Sequence, residues 1–380
     1  MSTRTEREEL LVARAYLSAV AEPPAPALTE FVAARGPRRA AEEIKRGGVP
    51  PPLADVVEAR REHVDGAALL DAGRRVGARL VVPEDPDWPG ELAECLVGAR
   101  TVGLAGMAEP VALWVRGSAP PDVALANAVA VVGARAASGY GEHVAAELAH
   151  GVARSGFTVV SGAAYGIDGA AHRGALAAGG STVAFLACGV DVDYPAGHGR
   201  LLKVIAQQGL VASEHPPGTP PRKHRFLVRN RLIAAAGQAT VVVEAGARSG
   251  AGNTAHTADA LGKPVLAVPG PVTSKTSVGC HDLVRTGTAV LATGAHDVLE
   301  LLQPLGQVDA APATDTRRRT DALHPHARRV HDALSGCDGS GVDALARECG
   351  LPLRTVRALL PELELSGLAV RTEAGWSATT

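Results

Sequence analysis

The residues most suited to chemistry in this chain are a cluster of cations around one phenylalanine. Residues 222 to 231 read Arg-Lys-His-Arg-Phe-Leu-Val-Arg-Asn-Arg, and no acid occurs between Glu214 and Glu244. Cationic side chains bind phosphates without distinguishing bases, and an aromatic ring can stack on any base. The cluster therefore predicts binding of a single-stranded nucleic acid. A solvated basic loop, with Phe226 as one more buried core ring, is the alternative interpretation.

Three short segments combine serine or arginine with glycine, and each is expected between a strand and a helix. The first contains Arg135 and Ser138, the second is Ser161-Gly162, and the third is Ser249-Gly250. Helix N-termini attract anions, and arginine can form paired hydrogen bonds with a phosphate. The segments therefore predict phosphate contacts along one rim, with tight turns as the alternative. The first segment lacks the Gly-x-Gly-x-x-Gly fingerprint, which disfavours a dehydrogenase.

Residues that could act as catalytic acids or bases are scattered over the same loops. They are Asp168, His172, Asp191, Asp193, His198 and Glu244. Their spacing neither pairs a nucleophile with a base nor sets metal ligands on one helix face. Asp168 and His172 are four residues apart and could share a helix face, where capping or packing is favoured over catalysis. We therefore expect no catalytic residues, no cofactor and no metal, and a protein that is not an enzyme.

The elements that would position these residues follow from seven short apolar runs that alternate with amphipathic helices. Because the runs are continuously apolar, they are expected to be buried on both faces of a parallel sheet. The predicted fold class is α/β, a Rossmann-like doubly wound parallel sheet with ligands at the carboxyl ends of its strands. The runs begin at residues 128, 157, 182, 210, 240, 264 and 288.

Proline and glycine breaks, together with changes in composition, divide the chain into five predicted parts. They are a small helical module resembling SAM or helix-hairpin-helix modules (1–55), a connecting extension (56–120), a Rossmann-like DNA-binding domain (121–303), a linker (304–322) and a winged-helix domain (323–380). Residues 120 to 300 alone are expected to bind single strands and self-associate. The helical module is favoured as a packing or partner-binding appendage.

The third helix predicted in the winged-helix domain has nearly balanced charge. Arg354 and Arg357 are offset by Glu362 and Glu364. A DNA-reading helix is usually more cationic. Protein docking or weak duplex contact is therefore favoured over sequence-specific DNA recognition.

Composition limits the classes of protein that this chain can belong to. Thirty-eight basic and forty acidic residues give a net charge of −2, so nucleic-acid binding must come from a local patch. The five cysteines form no Cys-x-x-Cys pair, which disfavours a disulfide framework or zinc site and fits the cytoplasm. The N-terminus is polar and the apolar runs are short, so neither a signal peptide nor a membrane-spanning helix is expected.

Four motifs between residues 128 and 300 support a family resemblance. They are Val-Gly-Ala-Arg135-Ala-Ala-Ser-Gly-Tyr-Gly, Ser161-Gly-Ala-Ala-Tyr-Gly-Ile-Asp-Gly-Ala-Ala-His172, Phe226-Leu-Val-Arg-Asn-Arg231-Leu-Ile and Val-Val-Val-Glu244-Ala. With these motifs the chain resembles the DNA-processing protein A family. The resemblance implies a Rossmann-like domain that binds and protects incoming single-stranded DNA, forms a homodimer and loads RecA recombinase in natural transformation.

The same resemblance implies roles for individual residues. Arg135 falls where the family's loop arginine contacts phosphate, and Lys223 and Phe226 fall in its basic and base-contacting pocket. Self-association is implied for about residues 278 to 291. The complete set of expected DNA-binding residues is Arg135, Ser138, Ser161, Gly162, Lys223, Phe226, Arg229, Asn230, Arg231, Ser249 and Gly250.

Two rival functions remain from other classes of protein. One is a nucleotide-binding enzyme of the phosphoribohydrolase type, which carries a Pro-Gly-Gly-x-Gly-Thr loop that the segment after Glu244 lacks. The other is a winged-helix regulator with a nucleotide-sensing core. The balanced charge of the third helix in the winged-helix domain disfavours this function.

Overall fold

The computed structural model describes residues 2–303, 319–335 and 339–379. Of the linker predicted over 304–322, residues 304–318 lie outside the described residues. The chain divides into two compact units. The first contains described residues 2–303, and the second contains the described residues from 319 onward.

Short helices, several of which begin at a proline, dominate the N-terminal part of the first unit. Proline suits the first turn of a helix because its fixed φ matches the helix and its missing N–H is not needed there. The elements in chain order are α1 (Ser2–Val20), α2 (Pro26–Arg35), α3 (Pro37–Arg46), α4 (Pro51–Val57), α5 (Gly66–Arg75), β1 (Arg79–Val81), α6 (Gly90–Thr101), β2 (Leu113–Gly117) and α7 (Pro121–Ala126). Tyr16, Leu17, Ile44 and Leu53 form part of a small core that holds the first four helices together.

Strands and helices then alternate to the end of the first unit, as the apolar runs predict. The elements are β3 (Ala128–Val132), α8 (Gly139–Arg154), β4 (Thr158–Ser161), α9 (Ile167–Ala177), β5 (Thr182–Phe185), a 3-10 turn (Ala196–His198), α10 (Gly199–Gln208), β6 (Leu210–Ser213), α11 (Lys223–Ala236), β7 (Ala239–Val242), α12 (Gly250–Ala260), β8 (Val265–Ala267), α13 (Val278–Arg285), β9 (Val290–Leu291) and α14 (Ala295–Leu302).

The strands form one nine-stranded sheet in the order β1-β2-β6-β5-β4-β3-β7-β8-β9. The seven strands from β3 to β9 are parallel to one another, whereas β1 and β2 are antiparallel additions at one edge. The predicted doubly wound parallel sheet is confirmed. The sheet also extends to the N-terminal side of residue 121, because β2 pairs with the edge of β6, and Trp114 of β2 is fully buried.

Side chains alternate between the two faces of the sheet, so each strand contributes to two cores. In β3, Val129 and Val131 pack toward α8, α9 and α14, whereas Ala130 and Val132 pack toward α11 and α12. Burial on both faces explains why the strand sequences are continuously apolar.

The strand order reverses its direction at β3, which lies between β4 and β7. The connections after β3 and β7 therefore leave the sheet toward opposite faces and open a crevice at the carboxyl ends of these strands. This topology locates the candidate site.

The second unit is a winged helix, as predicted. Val330, Leu345, Val356, Leu360 and Trp376 form part of its core. Its elements are a 3-10 turn (Arg319–Ala322), α15 (Pro325–Leu334), α16 (Val342–Cys349), α17 (Leu353–Leu365), β10 (Ala369–Thr372) and β11 (Gly375–Ala378). Among all described residues, no helix is long and apolar enough to cross a membrane.

Candidate nucleic-acid interface

A cavity of about 770 Å³, here called the basin, opens at the carboxyl ends of the central strands. The loops after β3, β4, β5 and β7 and the first half of α11 all contribute to its wall. Seven of the residues expected from sequence to bind DNA line it. They are Arg135, Lys223, Phe226, Arg229, Asn230, Ser249 and Gly250.

The basic stretch is not a loop, as the alternative interpretation had it, but forms the beginning of α11. Residues three and four apart share a helix face, so Lys223, Phe226 and Asn230 all face the basin. Arg225 and Arg229 are 9% and 6% exposed and are bonded within the protein, although Arg229 also lines the basin. The helical spacing 223, 226, 230 was the signal in the sequence for the basin-facing residues, whereas the structural roles of Arg225 and Arg229 follow from their contacts.

Phe226 is half-buried and is held between a cation and another ring. The Cζ atom of Arg135 lies 4.6 Å from the centroid of the Phe226 ring, and the Tyr194 ring lies 5.2 Å away, tilted by 43°. A cation over an aromatic face is attracted by the ring's quadrupole. Arg135 is therefore oriented across the basin although its side chain is exposed. Sequence reasoning assigned no role to Tyr194, which follows β5 on a different loop.

Asn230 and Arg229 connect α11 to the loops around it. The Asn230 amide Nδ2 donates to the carbonyl of Gly250 and to Asn253 Oδ1, at 3.2 Å each. Arg229 Nη1 donates to the carbonyls of Gly162 at 2.7 Å and Phe185 at 2.5 Å. Burial lowers the pKa of Arg229 to about 10, against the opposing effect of Asp168. Both side chains line the basin while they fix its geometry.

Four residues expected to bind DNA form contacts within the protein, and none of them lines the basin. Arg231 is 3% exposed and pairs with both carboxylate oxygens of Glu214, at 2.6 and 2.7 Å. Ser161 is fully buried and donates to the carbonyl of Val131. Gly162 is held by Asp168 and Arg229 through its N–H and its carbonyl. The fourth residue is Ser138, which caps α8.

Glu244 is the group that binds Ser138. Its carboxylate accepts hydrogen bonds from Ser138 N at 2.9 Å, Ser138 Oγ at 2.6 Å and Thr276 Oγ1 at 3.0 Å. A side chain at Gly141 would collide with this carboxylate, so glycine is required there. Glu244 is 2% exposed and joins the loop after β3 to the loop after β7. Its contacts indicate a structural role, and sequence reasoning did not find its partner Thr276.

Asp168 and His172 each have partners of their own. Asp168 Oδ2 accepts hydrogen bonds from the backbone N–H groups of Gly162 at 3.2 Å and Ala164 at 3.3 Å. Burial raises the pKa of Asp168, against the opposing effect of Arg229. His172 Nδ1 contacts Thr182 Oγ1 at 2.7 Å, and burial lowers the pKa of His172 to about 3, so its ring is neutral. These contacts fit the capping and packing interpretation.

The rim of the basin is cationic. Arg135, Arg222 and Lys223 are exposed, and none of them forms an ion pair within the described part of the chain. The acid that lines the basin, Asp168, is only 6% exposed. The rim can therefore attract phosphates while the aromatic ring below it contacts a base.

Comparison with known proteins gives matches in both units. A family model described as DNA recombination-mediator protein A matches residues 79–303, which begin at the first residue of β1. A model of the DprA winged helix domain matches residues 311–375.

Two relatives illustrate the extent of the similarity in sequence and structure. The chain is 48% identical over 362 residues to a protein of Mycobacterium tuberculosis named DNA processing protein DprA, covering 95% of this chain and 92% of the relative. The X-ray structure of DNA processing protein A from Streptococcus pneumoniae matches with a TM-score of 0.62 and 31% identity. This match covers 77% of this chain and 96% of that one.

Proposed function

The chain therefore belongs to the DNA recombination-mediator protein A family, and we propose that its basin binds single-stranded DNA with little preference for base sequence. The observation that supports this most directly is the half-buried Phe226 ring with Arg135 over it and Lys223 on the same helix face. A base in a duplex is stacked on both sides, so a protein ring stacks more readily on a base of a single strand.

The cations support phosphate binding from outside the ring. Arg135, Arg222 and Lys223 are exposed on the rim, whereas Arg225, Arg229 and Arg231 are largely buried. Because the first three lack acidic partners among the described residues, their charge is available to the phosphate backbone. The proposed contacts are therefore phosphates on the rim and one base at Phe226.

We further propose that the protein holds the strand without altering it chemically. Asp168, which lines the basin, accepts from backbone N–H groups, and the buried Glu244 is engaged by Ser138 and Thr276, so both carboxylates hold loops of the site. The rival function, a nucleotide-binding enzyme of the phosphoribohydrolase type, would require a free general acid or base beside the ligand.

The finer parts of the proposal are strand protection, loading of RecA recombinase during DNA uptake, and homodimer formation. The family resemblance supports the first two. The edge strand β9 supports the third, because Val290 is 62% and Leu291 48% exposed there. We also propose a cytoplasmic location, since Cys95, Cys188, Cys280 and Cys349 are free thiols.

A division of labour follows, with strand binding in the first unit and partner docking in the winged helix. The exposed face of α17 supports docking, because Arg354 and Arg357 lie there with Glu362 and Glu364. A face of balanced charge suits a protein better than a DNA duplex.

The central experiment compares the affinity for an oligothymidine with that for a duplex of equal length over a salt series. We expect tighter binding to the single strand and a log-log slope of about −0.7 for each phosphate contacted. Stronger binding to the duplex, or an affinity independent of salt, would contradict the proposal.

Loading of RecA is tested separately, with strands first coated by a single-strand-binding protein. Addition of this chain should speed the RecA-driven pairing of those strands with a homologous duplex. A rate that does not change would leave strand binding intact and remove the loading step.

A further inference from the structure

The N-terminus of α11 is an unfavourable helix start by itself. Its first turn contains Lys223, His224 and Arg225, follows Arg222, and has neither an acidic residue nor a side-chain cap. Cations near a helix N-terminus oppose the helix dipole and leave backbone N–H groups without an acceptor. Three other helices begin near the basin and differ, because Ser138 caps α8, Ser249 caps α12, and α9 has Asp168 in its first turn.

The missing negative charge comes from Glu22, about 200 residues earlier in the chain. Its carboxylate accepts from Arg225 Nε at 2.5 Å and Arg225 Nη2 at 3.1 Å, and it contacts His224 Nε2 at 3.2 Å. Arg60 Nη2 donates to the same carboxylate at 2.6 Å and Arg60 Nη1 to the carbonyl of Ala19 at 3.3 Å. One carboxylate thus bridges the helical module and the first turn of α11.

Glu22 is held firmly enough to act on α11. It follows α1, whose Tyr16 and Leu17 are fully buried in the core of the module, and the Tyr16 hydroxyl donates to the carbonyl of Arg61 at 3.1 Å. Arg225 is itself 9% exposed, and its Nη1 donates to the carbonyl of Pro220 at 2.6 Å. The contact therefore joins two ordered parts of the first unit.

We propose that Glu22 is a positioning residue for the strand-binding site, which holds the first turn of α11 so that Lys223 and Phe226 face the basin before DNA arrives. The proposal rests on the proposed function of the basin. It makes the helical module part of the strand-binding machinery, through a residue that itself touches no DNA.

The direction of the effect separates positioning from simple electrostatics. Glu22→Gln removes one negative charge beside Arg60, His224 and Arg225, and charge alone would raise the affinity for a polyanion. Positioning has the opposite sign, because disorder in the first turn lowers the fraction of molecules that are ready to bind. If only about one molecule in ten keeps the ordered turn, the apparent affinity falls about tenfold.

The test uses the full chain with Glu22→Gln and a matched control, Glu84→Gln. Glu84 also joins α1 to the sheet domain, since Arg14 Nε donates to its carboxylate at 3.1 Å. We expect Glu22→Gln to weaken oligothymidine binding about tenfold, while Glu84→Gln leaves it unchanged. Equal losses in the two variants, or a higher affinity in Glu22→Gln, would overturn the proposal.

A double-mutant cycle gives a readout that a general loss of structure would not produce. In the Lys223→Ala/Phe226→Ala background, Glu22→Gln should have little further effect, because the residues through which it acts are gone. Additive losses would overturn the proposal. If Lys223→Ala/Phe226→Ala itself leaves binding unchanged, the proposed function fails instead.

Amide hydrogen exchange in the DNA-free protein keeps the test decisive if Glu22→Gln lowers overall stability. The variant Glu22→Asp retains the charge and is expected to fold. Amides of residues 225 to 228, which donate to carbonyls at the start of α11, should exchange faster in either Glu22 variant than in the parent chain, while amides at the C-terminal end of α11 stay protected. Unchanged exchange in that first turn, in whichever variant folds, would overturn the proposal.

Discussion

Each cation of the basic stretch has its role set by where its side chain points from α11. Lys223 projects into the basin with Phe226, whereas Arg229 and Arg231 are buried and bonded to carbonyls and to a carboxylate. Because a helix turns by about 100° per residue, neighbours in sequence reach different environments. Arg229 and Arg231 therefore contribute mainly to the construction of the site.

Phe226→Ala should weaken single-strand binding by roughly 1–3 kcal/mol, the usual effect of losing one base stack. Arg135→Ala should also weaken binding, because its guanidinium lies over that ring and is exposed. Titrations with an oligothymidine measure both effects, and thermal melts serve as the control. A large loss of melting temperature with unchanged affinity in the folded fraction would assign Phe226 to the core instead.

Arg231→Ala is expected to act on folding. It would leave Glu214, itself 6% exposed, as an unpaired buried charge. Removal of one partner of a buried pair costs about 3–5 kcal/mol of unfolding free energy. Denaturant titration of the variant measures this loss, and Arg135→Ala provides the matched exposed control. A stable Arg231→Ala protein with reduced DNA affinity would restore Arg231 to the binding set.

Among the elements, α11 depends most on partners that are distant in sequence. Its first turn relies on Glu22, and its middle is tied by Arg229 to the loop after β4 and to the last residue of β5. Glu244 performs the corresponding task for α8 by holding Ser138. The basin is therefore formed by elements whose ends are fixed by buried or half-buried polar contacts.

The contact between Glu22 and α11 should make stability depend on pH in acid. Burial alone would raise the pKa of Glu22, but hydrogen bonds from Arg225, Arg60 and His224 lower it from 4.5 to about 2. A carboxyl whose folded pKa is lowered stabilises the protein above its unfolded pKa, and that stabilisation is lost as pH falls. The parent chain should therefore be more stable than Glu22→Gln above pH 4.5, and the difference should shrink as pH falls toward 2. Melts of the two proteins over that range measure it, and a constant difference would contradict it.

The edge strand β9 is the element expected to mediate self-association. Leu291→Glu would place a charge on an edge where Val290, Leu291 and Val284 expose apolar surface. We expect the variant to sediment as a smaller species than the parent chain. The affinity of each protein chain for single-stranded DNA should be retained when few chains are bound to one DNA strand. The control is Val102→Glu, at an exposed valine that follows α6. Unchanged sedimentation of Leu291→Glu would exclude β9 from the interface.

At the scale of the whole molecule, the first compact unit includes the helical module. Trp114 of β2 is fully buried and donates from Nε1 to Ser18 Oγ of α1 at 3.3 Å. The strand β2 also pairs with β6 in the sheet. Chain cuts near residue 120 would therefore divide the sheet itself.

A chain that ends at residue 303 should retain most of the single-strand affinity, because every residue that lines the basin precedes that point. A chain of residues 121–303 should be less stable and bind more weakly, since it lacks β1, β2 and Glu22. Circular dichroism and oligothymidine titration compare both with the full chain. Loss of most affinity in the folded 1–303 protein would move the winged helix into the binding site.

The alternation of strands and helices, the winged helix and the family could be predicted from the amino-acid sequence, because apolar periodicity and contiguous motifs are local properties of the chain. The seven predicted strands of residues 128–291 and the positions of Arg135, Lys223 and Phe226 near one cavity follow from them. The packed fold was needed to show which cations are exposed on the rim and which are structural, and that Tyr194, Thr276 and Glu22 support the site. Those roles depend on contacts between residues as far as 203 positions apart, and such contacts form only when the whole unit packs.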